Sequence, residues 1–209
     1  MSKHIYRPPL LITMDLEIAY DHVKDQQVYI LDQLMEDTSI HGIPMTVFTT
    51  AESTKLFSRK VRDLHLRGHE IGCHGKTHAP AENFERMDYQ QCKSIIAEST
   101  AVLESITGVM PRSFRGPRME TSPTTQRVLI ECGYHSDYSV SSRRLHIPPK
   151  MDLFFAPQTP YFSHQNSHLK SGDLPLLNVP LTSLGVPFLS GMLYILGLPA
   201  MKALFRFYY

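Results

Sequence analysis

Two histidines four residues apart, His74 and His78, stand in the stretch GHEIGCHGKTH, with a third histidine and three glycines around them. If the chain turns there as a helix does, that gap sets both imidazoles on one side, close enough to share one ion. Gly72 and Gly75 are placed to let the chain swing off a preceding strand. Two imidazoles leave a divalent ion short of ligands, and a carboxylate is the usual completion of a hydrolytic site with an open water position. ITMDLE supplies two, Asp15 and Glu17. Alternate residues on a strand face the same way, so one carboxylate can bind the metal while the other acts on water beside it.

Taken singly these signals are weak. HxxxH pairs are common by chance, and Asp-x-Glu at a strand end is usually solvated. Arg115 in FRGPR suits a structural ion pair, and Asp137 in YHSDYSV suits a loop cap. Their joint placement carries the weight. PLLITMDLE, IPMTVFTT, HEIGCH, SFRGPR, YHSDYSV and LPLLNVPL read as strands. Between them, helical spacing marks residues 26–39, 53–67, 88–107 and 122–133, with stops at Gly42, Gly68, Gly108 and Gly133. Strand–helix alternation implies parallel βαβ units. All the distinctive polar residues then fall at the C-terminal ends of strands, the edge where parallel sheets and barrels build sites. His69 alternates with Ile71 and Cys73, opposite in phase to His74, and is expected to be structural, hydrogen-bonded beneath the site.

GHEIGCHGKTH resembles the second motif of the polysaccharide deacetylase family, the NodB-homology carbohydrate esterases. There GHEIG leads into H-[S/T]-x-x-H and the two outer histidines bind metal. ITMDLE is similar to the first motif, FRGPR to the third and GYHSDYSVSS to the fourth, so the likeness runs from Leu10 to Ser142. The resemblance implies that Asp15 is the general base and that His74 and His78 bind the metal. It also implies that Arg115 holds the catalytic aspartate and that Asp137 orients the general acid or shapes the groove. The usual first motif has adjacent aspartates, but Leu16 stands at the second place, and in the D-x-E subset of the family Glu17 takes the ligand role. Gly75 occupies a place where Ser or Thr is common, and Arg118 one where an aromatic or small residue is usual. The fifth motif, which supplies a histidine general acid, is not found after Leu198. His164 and His168 are the nearest candidates, and the chain is read as a fragment or as a protein lacking the last strand.

The expected fold is α/β: a distorted (β/α) barrel with fewer than eight strands, in a single catalytic domain over residues 1–209. The expected function is metal-dependent hydrolysis of acetyl from N-acetylated sugars in a glycan or glycan precursor. The alternatives are a hydrolase of non-sugar linear or cyclic amides, including imides and ureides, and a glycan-binding pseudoenzyme. Zinc leads as cofactor, and cobalt, nickel, manganese or iron(II) suit the same ligands. With 21 Lys+Arg against 20 Asp+Glu, nothing favours nucleic acid as a partner. Three widely spaced cysteines without a CxxC pair, and an N-terminal apolar run too short for a signal segment, point to the cytoplasm. The apolar stretch from Leu181 to Phe205 is broken by Pro187 and Pro199, so stable membrane insertion is not expected. Carbohydrate is the expected partner, and the sequence says nothing of oligomeric state.

Overall fold

Side-chain alternation divides each strand between a polar face and a core face. The computed structural model describes residues 10–18, 24–142, 151–181, 183–184, 186–187, 196–197, 199–203 and 206. Six strands run parallel, in the order β1 (Thr13–Leu16), β2 (Thr46–Thr49), β3 (Glu70–Cys73), β4 (Ser113–Phe114), β5 (Ser136–Asp137) and β8 (Leu177–Asn178). An antiparallel hairpin of β6 (Tyr161–His164) and β7 (Ser167–Ser171) extends the far edge, with β6 paired to β8. A separate two-stranded ribbon joins β9 (Ser183–Leu184) and β10 (Val186–Pro187). The fold is the expected α/β arrangement; the main sheet has eight strands, six of them parallel, and the hairpin that brings it to eight is an addition the sequence reading did not contain.

The described α-helices are α1 (Lys24–His41), α2 (Ala51–Leu56), α3 (Ser58–Leu66), α4 (Tyr89–Thr107), α5 (Pro123–Glu131) and the short α6 (Met151–Phe154). Four of them, α1, α3, α4 and α5, supply the core that covers one face of the sheet. Leu31 and Met35 of α1, Val61 and Leu64 of α3, Cys92, Ile96 and Leu103 of α4, and Val128 and Leu129 of α5 form the core. Leu16, Val47, Ile71, Cys73 and Phe114 meet them from the sheet. Asp88 caps α4 through a reciprocal pair: Gln91 N donates to Asp88 Oδ1 at 2.9 Å and Asp88 N to Gln91 Oε1 at 3.1 Å. Gly108 ends α4 at φ 79°, where a side chain would be strained.

The helix expected over 53–67 is two. β2 runs into Thr50, whose extended backbone and hydroxyl cap α2, accepting from Ser53 N at 3.1 Å. Phe57 then leaves helical geometry to enter the core, and α3 begins after it. The apolar stretch near the C-terminus lies largely outside the described residues, and among those described no helix is long and apolar enough to cross a membrane.

Opposite the helices, the polar face carries Thr13 and Asp15, Thr46 and Phe48, Glu70 and Gly72, Ser113 and Arg115, Ser136 and Tyr138. Thr46 Oγ1 donates to Glu70 at 2.7 Å, Ser113 donates to the other Glu70 oxygen, and Ser136 Oγ to Ser113 Oγ at 3.1 Å. Gly72 is glycine for space, not swing. A Cβ there would stand 2.6 Å from Phe48 Cδ1, and the Phe48 ring lies instead against Tyr138, centroids 5.0 Å apart.

Candidate metal centre

β1 ends with Asp15 on the polar face and Leu16 in the core, so Glu17 returns to the polar side as alternation requires. His74 follows β3 directly and is 2% exposed. Its Nδ1 lies 2.7 Å from the Arg115 carbonyl. A carbonyl only accepts, so Nδ1 carries the proton and the Nε2 lone pair is left for a ligand. Burial lowers the His74 pKa, against the opposing pull of Asp15, which favours the neutral ring that ligation needs.

His78 reaches the same place by a loop. The four-residue gap is not a helical turn, contrary to expectation: Gly75 has φ 75° and His78 itself φ 70°. Left-handed geometry in a non-glycine residue costs roughly 1 kcal/mol or more, so contacts must hold it. The first turn of α2 provides two, Ala51 N to Gly75 O and Glu52 N to Lys76 O, each 3.0 Å. His78 Nε2 then stands 2.8 Å from a Glu17 carboxylate oxygen. The His74 and His78 ring centroids are 5.4 Å apart.

One ligand atom from each of Glu17, His74 and His78 lies within 4.8 Å of the other two. Donors sharing an ion through ~2 Å bonds stand about 3–4 Å apart, so this His₂–carboxylate set fits one divalent cation. Asp15 sits beside it. Arg115 Nη1 donates to Asp15 Oδ1 at 2.7 Å, and Nη2 to Thr13 Oγ1 at 2.9 Å. The guanidinium packs against two aromatic rings that touch each other, 4.4 Å from the Phe48 ring centre and 5.8 Å from that of Tyr138. Thr13 was missed in the sequence, although it shares the face of Asp15 two residues on.

Asp137 is elsewhere. Fully buried, it follows Ser136 on β5 and therefore faces the helices. Thr121 Oγ1 and Gln126 Nε2 donate to its Oδ2 at 2.9 and 3.3 Å, and Ser139 gives Oδ1 both its N–H and its hydroxyl. Ser139 Oγ in turn accepts from Gly116 N at 2.8 Å. Asp137 thus supports the FRGPR turn from behind. β5 has only two residues, too few for the sequence to reveal which faces which way.

His164 is no nearer. β6 runs antiparallel to β8 from Tyr161, opposite Asn178, down to His164 at the turn. That turn lines a cleft with Ile130 and Glu131 at the end of α5, on the sheet edge away from Asp15. His69 is buried and hydrogen-bonded as expected, but at the same remote edge, where Met45 N donates to its Nδ1 at 3.2 Å.

A family model described as polysaccharide deacetylase matches residues 20–136. A peptidoglycan deacetylase from Helicobacter pylori is 30% identical over 100 residues, which are 48% of this chain and 33% of that protein. A Mycobacterium smegmatis structure described as a polysaccharide deacetylase superimposes with TM-score 0.63 at 20% identity, covering 82% of this chain and 58% of the other. The PuuE allantoinase superimposes with TM-score 0.59 at 18% identity, covering 83% and 61%. The chain therefore spans a third of that curated relative's length and about three fifths of the two solved structures.

Proposed function

The chain belongs to the polysaccharide deacetylase family, and on that premise we propose that it is a metal-dependent hydrolase removing acetyl from N-acetylated sugars of a glycan or glycan precursor. One observation carries the reading: Glu17, His74 and His78 converge within 4.8 Å beside the Asp15–Arg115 pair. Likeness to a peptidoglycan deacetylase supports a glycan as substrate.

Glu17, His74 and His78 would hold the ion, with zinc the first choice and cobalt, nickel, manganese or iron(II) suited to the same donors. A divalent cation there supplies Lewis acidity, polarising a carbonyl and acidifying water. Asp15 takes the proton of the water that attacks the amide carbon. Arg115 orients Asp15, and is itself oriented by Thr13 and two aromatic rings. Among the described residues, with His164 at the remote edge, Asp15 is also placed to return that proton to the leaving nitrogen, which departs as an amine with acetate as the other product. Asp137 acts at one remove, by holding the turn that presents Arg115.

The test is metal content and acetate release from N-acetylglucosamine oligomers, for wild type and His78→Ala. Stoichiometric divalent metal and acetate release in wild type, both lost in the variant, are expected. Wild type free of metal under replete conditions would sink the metal reading. Opening of cyclic imides or ureides without acetate release would move the substrate to that class.

A further inference from the structure

The loop from Gly75 to Glu82 leaves the sheet, so its backbone donors and acceptors need partners other than a strand ladder. Two side chains divide the work. Glu82, 5% exposed, takes donors: Oε1 accepts from Lys76 N at 2.5 Å, and Oε2 from Thr77 N and Thr77 Oγ1, both at 2.8 Å. Arg118 takes acceptors: Nη1 donates to His78 O at 3.0 Å and Ala79 O at 3.2 Å, and Nη2 to Glu82 O at 2.7 Å and Glu120 Oε2 at 2.9 Å. Arg118 N also lies 3.3 Å from His78 Nε2. Both terminal nitrogens of the guanidinium are thereby engaged, which suits a clamp better than a grip on an anionic substrate.

Gly75 completes the device. A Cβ there would fall 2.2 Å from Glu82 Oε1, so the carboxylate occupies the space a side chain at 75 would need. We infer that Glu82 and Arg118 are positioning residues that together hold His78 against Glu17, in place of any side chain at position 75. This rests on reading Glu17, His74 and His78 as metal ligands. Groups that orient ligands in this way typically matter 10–100-fold for metal affinity.

The experiment uses the metal-free 209-residue chain: wild type, Glu82→Gln, Arg118→Lys, and Ile96→Val as a core control remote from the loop. Zinc affinity by chelator competition, the Tm of the metal-free protein and amide exchange at Lys76 and Thr77 are measured. Zinc should bind about 10–100-fold more weakly in both brace variants. Their metal-free Tm should fall no further than that of Ile96→Val, which keeps wild-type affinity. The Lys76 and Thr77 amides should be protected in wild type and exchange fast in Glu82→Gln. Unchanged affinity in both brace variants, or an equal loss in Ile96→Val, overturns the inference. Should Glu82→Gln not fold, Arg118→Lys decides by its affinity. Should wild type bind no zinc, the reading of the site falls, and exchange alone judges the brace: protection retained in Glu82→Gln, or absent in wild type, overturns it.

Discussion

Arg115 and Asp15, a hundred residues apart in the chain, meet at 2.7 Å on the polar face of the sheet. Lysine at 115 would keep the charge but could not serve Asp15 and Thr13 together while packing a planar group against the Phe48 and Tyr138 rings. Arg115→Lys should therefore lower kcat roughly 10²-fold, the scale of a small misplacement of a reacting group. Its metal content should stay that of wild type. Steady-state acetate release beside metal analysis checks this.

Asp15→Asn and Glu17→Gln should fail differently. The first removes the base and should cost kcat roughly 10²–10⁴-fold while the metal stays bound. The second removes a ligand and should cost the metal itself. Thermal unfolding reads the difference. Zinc at 100 times its Kd should stabilise wild type and Asp15→Asn by about 2.7 kcal/mol. At 2–4 °C per kcal/mol for this size, that raises Tm by roughly 5–10 °C. Glu17→Gln should show little of that shift.

His69 makes stability depend on pH. Burial first, and the Arg67 charge second, lower its pKa below the ordinary 6.5. Between that lowered value and about 6.5, the unfolded chain binds the proton and the folded chain does not. Stability therefore rises with pH across this window and is lost as pH falls below about 6.5. A protonated Nδ1 could no longer accept from Met45 N. Urea midpoints from pH 7.5 to 5.5 should fall in metal-free wild type, and fall less steeply in His69→Gln.

Asp137→Asn should act on stability before chemistry. The amide keeps the shape but turns one acceptor into a donor among groups that already donate, at a cost of about 1–3 kcal/mol. Per folded molecule, kcat should drop less than in Asp15→Asn. Urea unfolding and active-fraction kinetics separate the two effects.

Much of this site was legible in the sequence wherever a local rule sufficed. Alternation alone put Asp15 and Glu17 on one face, and strand–helix order alone brought them to the same edge as His74 and Arg115. The four-residue spacing of His74 and His78 marked a pair but not its path, because a left-handed His78 is held by contacts and not by its own propensity. The phase of Asp137 was hidden by a strand of two residues. Glu82 gave no local signal at all, since its partners are the amides of a loop whose conformation it helps to set. The hairpin at 161–171 went unread because its turn, Gln165–Asn166, lacks the glycine that usually announces one.

Leu16 and Asp15 are neighbours on one four-residue strand, one facing the core and the other the polar side. Shifting β1 by a single residue against β2 would turn carboxylates into the apolar interior and expel Leu16 in the same motion. Glu17 therefore reaches the site only when Leu16 reaches the core, and zinc uptake during refolding would double as a clock for docking of the first strand.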